Sequence, residues 1–312
     1  MHDHLQDFNL RRMFLPFTIA TTPNGFGHNM IKYLFAISAL VLFSGCVSNQ
    51  YNYGTGEHGG DDSKSPPMQQ QLYVGAPSKI LDASDWIWPG SLLAKLVLWN
   101  KNIDSHEVSD ETIDAMMQYV KENELDDVQI LVNTYKPANQ WSRLFKNKEI
   151  WAPFRYTLGV LSTSLYTVLP GRFFGGDHYN PYTNTINIYS DEVAIALHEA
   201  GHAKDLNSRK NKTLHSTLYM VPGAPLYYEA VASSDAINYL NHQCRYDEEK
   251  RAYKVLHPAY GTYAGGVFLR QSGLGFVGAI PGHITGAIAS LGVNKSEDEP
   301  CENILPEALL EE

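Results

Sequence analysis

The sequence predicts an α+β fold, and three observations carry that reading. Thr185 to Tyr189 is β-branched and alternates, as a strand does. Directly behind it, an apolar pattern through Val193, Ala196 and Leu197 predicts a helix to about Asp205. A second helix pattern over Ser109 to Lys121 and a short strand at Val128 to Val132 lie upstream, and no internal repeat is evident. The expected arrangement is a small sheet with an edge strand against this helix, with further helices completing the core on the C-terminal side.

Each element has a local reason. Ile80 to Asn100 is apolar, contains Trp86 and Trp88, and is expected to pack as an opening segment. Ser109 to Lys121 reads as a helix. Ser109 caps it, Asp110 and Glu111 favour its first turn, and Ile113, Met116, Met117 and Val120 form one stripe. Val128 to Val132 is a short buried strand, and Trp151 to Phe174 is an aromatic, apolar stretch broken at Pro170-Gly171. Asn180 to Asn184 is turn-rich. Ser190-Asp191-Glu192 is expected to cap the helix that begins at Val193. A later helix spans Leu226 to Leu240. Tyr263 to Gly292 is apolar and glycine-rich. Arg270, Pro281 and His283 interrupt it, so core-packed helices are favoured over membrane insertion, with bilayer contact left open.

The chain has 312 residues, 44% hydrophobic and 19% charged, ample for a core. A net charge of -10 repels phosphate backbones and argues against nucleic acid as a partner. Three cysteines do not make a disulfide framework. Residues 30–45 join Lys32 to an apolar run from Tyr33 to Phe43, which suits a secretory signal. The ending Leu42-Phe43-Ser44-Gly45-Cys46 resembles a bacterial lipobox. That resemblance implies cleavage before Cys46, a lipid on it, and attachment to a membrane of the bacterial cell envelope. Val47, not Asp, follows the cysteine, which favours an outer membrane facing the periplasm. Residues 1–29 precede this signal and read as lying upstream of a natural start at Met30. Residues 46–79 are rich in Asn, Gly, Ser, Asp and Gln and read as a flexible tether. The domain proper is expected over 80–312. In an oxidising compartment Cys244 and Cys301 have the opportunity to pair, an open alternative to two separate thiols.

The helix after the strand carries His198-Glu199-Ala200-Gly201-His202. Histidines at i and i+4 share one face, so both imidazoles can meet one Zn²⁺ at about 2.0–2.1 Å. Glu199 is placed to act as a general base on water, whose pKa such a cation lowers toward about 7. The flanking Val193 to Leu197 is too apolar for a solvated helix with two incidental histidines.

This motif on a helix behind a strand resembles the zincin metallopeptidases. The resemblance covers about residues 180–240. It implies that Thr185–Tyr189 is an edge strand able to hold extended substrate by strand addition. Asp205 and Ser208 stand where metzincins have Gly and a ligand, so that subclass is excluded. The gluzincins take a third ligand from a glutamate on a later helix. Tyr227-Tyr228-Glu229-Ala230-Val231-Ala232-Ser233 resembles the Glu-x-x-Ala-Asp motif of membrane-associated zinc endopeptidases, with Ser233 in the Asp position. The resemblance therefore implies a His198, His202, Glu229 ligand set, Glu199 as catalytic base, zinc as cofactor and a protein or peptide as substrate.

Three carboxylates compete for the third ligand position. Asp205 is a short side chain one turn past His202 and is poorly placed to reach back. Glu229 shares its helix face with Ala232, Ala236, Tyr239 and Leu240, whereas Asp235 is turned about 120° away. Asp205 is also a candidate to orient an imidazole, against a plain helix-end role. Tyr228 or Tyr227 is a candidate to stabilise an oxyanion, against ordinary packing. His178 and His215 have no spacing argument. The rival to a zinc peptidase is a non-enzymatic envelope lipoprotein with a structural metal site.

Overall fold

A computed structural model describes Lys32 and residues 51–55, 71–78, 82, 89–169, 171–174, 176–269 and 273–293. The signal and lipobox with Cys46, residues 1–29, Trp86, Trp88, Arg270 and Cys301 lie outside the described residues.

The elements follow in the order β1 (Leu72–Val74), α1 (Pro89–Val97), α2 (Asp110–Glu122), β2 (Gln129–Val132), α3 (Pro137–Lys146) and α4 (Val160–Val168). Then come β3 (His178–Asn180), β4 (Thr185–Ile188), α5 (Val193–Asn207), α6 (Lys212–Leu218), α7 (Ala224–His242), α8 (Tyr246–Phe268) and α9 (Ala279–Leu291). The class is α+β. The sheet order is β1-β2-β4-β3. β1, β2 and β4 run parallel, and β3 is antiparallel to β4 with His178 opposite Asn187 and Asn180 opposite Thr185.

Two expectations about the strand and its helix need correcting. Thr185–Ile188 is a strand but not an edge. It lies between β2 and β3, and all four of its residues are buried. The edges are β1 and β3, and β3, beside β4, is a three-residue strand too short for alternation to reveal. Nor does Ser190-Asp191-Glu192 cap α5 with a side chain. Glu192 is the N-cap residue but makes no side-chain cap bond, and its Oε2 accepts from Asn100 Nδ2 at 2.9 Å. Asp191 instead serves α2: its Oδ1 accepts from Ser109 Oγ at 2.6 Å and Thr112 Oγ1 at 2.8 Å, beside the Ser109 cap on the Thr112 amide. Ser190 bonds the Asp177 carboxylate and accepts the Asp104 amide at 2.8 Å.

α5 sits at the centre. It packs on α2, α7 and α8, and β3 and β4 also touch it. It is buried nearly all round, as expected of a helix without a polar face. Gly201 in its middle permits the closest approach to α7. A Cβ there would lie 3.1 Å from the Ala232 carbonyl oxygen and 3.3 Å from its Cα. A tighter contact zips α8 to α9: a Cβ on Gly261 would lie 2.2 Å from the Gly278 carbonyl, and one on Gly282 2.5 Å from the His257 carbonyl. The glycine-rich stretch is thus two packed helices. No helix among the described residues is long and apolar enough to cross a membrane.

The expected tether and domain boundary also differ in part from the structure. Residues 71–78 include β1, and Tyr51 is buried in the main core cluster. Lys204 Nζ, on the back of α5, donates to Tyr51 Oη at 2.7 Å and to the Asn52 carbonyl at 2.6 Å. α1 packs only partly, leaving Leu92, Leu93 and Leu96 exposed. Cys244 is disulfide-bonded, and its partner lies outside the described residues.

Candidate metal centre and its cleft

The two histidines and Glu229 converge across the α5–α7 contact. Glu229 sits one turn before Ala232, the residue on which Gly201 closes, so the intimacy of that crossing delivers the carboxylate to the imidazoles. Ligand atoms of His198, His202 and Glu229 all lie within 4.8 Å of one another. His198 Nε2 is 3.1 Å from Glu229 Oε2 and 3.1 Å from His202 Nε2, and His202 Nε2 is 3.6 Å from Glu229 Oε1. Donors around a tetrahedral cation at about 2.1 Å stand roughly 3.3 Å apart, so this spacing suits a metal ion. The group could therefore hold a metal.

Neighbouring residues orient these donors. Ser233 Oγ faces His198 Nδ1 at 3.2 Å, so a hydroxyl occupies the place where the sequence motif has a carboxylate. Tyr219 Oη donates to Glu229 Oε1 at 2.8 Å. Burial opposes ionisation of Glu229, but the attraction of His202 and hydrogen bonds from both imidazoles outweigh it and hold the carboxyl below its usual range.

Glu199 lies beside the three donors on the wall of a cleft of about 660 Å³. Burial, with the charges of Glu229 and Asp177 added, pushes its carboxyl up to about 8 against the opposing pull of His198 and the Tyr179 amide. That amide belongs to β3, so one edge strand of the sheet faces the cleft. His178 lines it too. Its Nδ1 is 3.0 Å from the Gly176 carbonyl, and burial lowers its pKa, which keeps the ring neutral. The opposite wall is aliphatic, built by Leu158, Leu161, Leu165 and Leu169 in and around α4, with Met220 beside them.

The other sequence candidates fall outside the donor group. Asp205 does orient an imidazole, but that of His215, at 2.9 Å from its Nε2, and it also takes Arg209 as a partner. Tyr228 lines the cleft, yet its hydroxyl donates to the His215 carbonyl at 3.2 Å and its ring stacks on Tyr219 at 4.7 Å, which leaves packing as its role. Tyr227 is exposed and touches Arg209. Asp235 pairs with Lys204 at 2.9 Å and accepts from Tyr119 and Tyr51, away from the cluster.

Sequence reasoning missed Tyr219 and Tyr263. Tyr263 lines the cleft, and the charge of Glu229, then burial, then Glu199 raise its hydroxyl well above the usual value. Both come from segments with no motif, two tyrosines among 19. Set against known proteins, the chain matches no family model, no curated protein and no solved structure.

Proposed function

We propose that this protein is a zinc-dependent hydrolase of peptide bonds, held at the bacterial cell envelope by a lipid on Cys46. The observation that carries the hydrolytic reading is the placement of the Glu199 carboxylate on the cleft wall, next to a three-donor group that suits a cation. Zinc bound by His198, His202 and Glu229 would supply Lewis-acid polarisation. The chain's own residues do the rest. Glu199 takes a proton from water and returns it to the leaving amine. The β3 edge lies along the cleft and offers backbone groups to an extended chain, the role the sequence reading gave to Thr185–Tyr189. Tyr263, kept protonated by its carboxylate neighbours, is the hydroxyl donor available to a substrate carbonyl. The aliphatic wall excludes water and favours apolar side chains.

A structural metal site is disfavoured because such sites close on four protein ligands. The donor group among the described residues has three, and it borders a cleft.

The test is Glu199→Gln against Glu229→Ala. The first is expected to retain zinc and fold while losing roughly 10²–10⁴-fold in peptide hydrolysis. The second is expected to lose zinc. Native cleavage by the Gln variant, or stoichiometric zinc in the Ala variant, removes the corresponding assignment.

A further inference from the structure

We propose that the exposed apolar face shared by α1 and α9 rests on a lipid bilayer. α9 contains no charged residue, and its outer row Ile280, Ile284, Ile288 and Leu291 is 56–79% exposed. α1 adds Leu92, Leu93 and Leu96, also exposed. The two helices meet at His283, whose Nε2 lies 2.7 Å from the Val97 carbonyl oxygen and whose ring stacks on Trp99 at 3.9 Å. Trp99 stands at this joint 80% exposed, on a backbone with φ of 51°, a left-handed conformation that a bulky residue seldom adopts. The one cation on α1, Lys95, is turned toward the Asp104 carbonyl. Among the described residues these outward rows are aliphatic, with a tryptophan at their margin, which suits the acyl boundary of a bilayer. A partner protein would be matched by polar groups around the apolar centre. Leu161, Leu165 and Leu169 are exposed as well, but they line the cleft.

The chain's own length argues for the same occupant. This step rests on the envelope placement proposed above, not on the hydrolysis. Tyr51 is buried in the core, five residues after Cys46. Five residues span at most about 18 Å. A domain of some 240 residues has a radius of gyration of about 18 Å. A lipid at Cys46 therefore keeps the domain close to the bilayer surface. The uncharged α1–α9 face is the one built for that contact.

The experiment places the full chain on phosphatidylcholine–phosphatidylglycerol vesicles with brominated acyl chains, and reads tryptophan quenching alongside flotation and peptide hydrolysis. Quenching is expected, and Trp99→Phe should remove most of it. The double variant Ile284→Glu/Ile288→Glu should abolish quenching at Trp99 while the lipid anchor keeps the protein floating and hydrolysis unchanged. Both isoleucines are exposed, so the fold should survive. If it does not, the Trp99→Phe comparison still decides. A floating protein whose quenching ignores Trp99→Phe overturns the proposal. So does a dimer that dissociates in the double variant, which assigns the face to a second copy. Failure to float, with Cys46 unmodified by mass, removes the envelope reading and this proposal together, and leaves the hydrolytic reading to its own test.

Discussion

Asp177 and Asp235 show how differently half-buried carboxylates behave in two parts of the fold. Asp177 accepts the Tyr189 and Ser190 amides at 2.6 and 3.0 Å, yet burial and the nearby charge of Asp104 push it up to about 6. The folded state thus holds the Asp177 proton more tightly than the unfolded chain, whose value is near 3.8. The associated stability is fully present below about pH 4 and is lost as pH rises through 6. Urea titrations of the wild type should show stability falling between pH 4 and 7 by on the order of 2 kcal/mol, and Asp177→Asn should flatten that slope. A slope untouched by the substitution would locate the proton elsewhere. Asp235 is paired, and its removal has a different consequence. Asp235→Ala strands Lys204 in a buried position and should cost about 3–5 kcal/mol, read by denaturant midpoint. Zinc content at saturating metal should stay at one per folded chain. Metal loss without loss of stability would return Asp235 to the list of ligands.

The contact between α5 and α7 makes a second prediction. Gly201 lets the two helices close, so Gly201→Val should push Ala232 away and carry Glu229 from the imidazoles. The expected cost is about 1–3 kcal/mol in stability together with weaker zinc binding, measured by competition with a chelator. Tight zinc in this variant would mean that the donors do not depend on that approach. How much of this was legible in the sequence depends on the element. α2 was readable because its apolar stripe and Ser109 cap are local, and α5 and α7 because their apolar residues recur over a long run. The histidine pair and Glu229 were readable because a helix fixes which residues share a face. β3 was not, since three residues carry no alternation. β4 was misplaced as an edge because that expectation came from the zincin resemblance; alternation identifies a strand but does not say how many neighbours it has, and here β2 and β3 flank it with all four residues buried. The capping error has the same origin: Ser190 and Asp191 are good capping residues, and only the tertiary structure reveals that Asp191 serves α2. Ser233, Tyr219 and Tyr263 needed the folded cleft to acquire their roles.

At the scale of the whole molecule, the stretch that composition marks as a tether ends sooner than expected. Low apolar content across residues 46–79 hides Tyr51, whose ring packs on Tyr239 at 5.4 Å and under Lys204 at 4.0 Å. One aromatic in a polar segment is invisible to an average over the segment. Tyr51→Ala should cost about 3–5 kcal/mol, and thermal unfolding should fall by roughly 10 °C. An unaltered melting temperature would restore the tether reading for residues 51–55.

That short leash has a mechanical side. Tyr51 is held by Lys204 of α5, by Asp235 of α7 and by Asn123 at the end of α2. If the lipid proposed on Cys46 tethers the chain, a pull from that end would be delivered through Tyr51 to the helices that carry His198, His202 and Glu229. The candidate metal centre and the proposed anchor would then share one load path, and tension at a membrane surface would be felt where the donors meet.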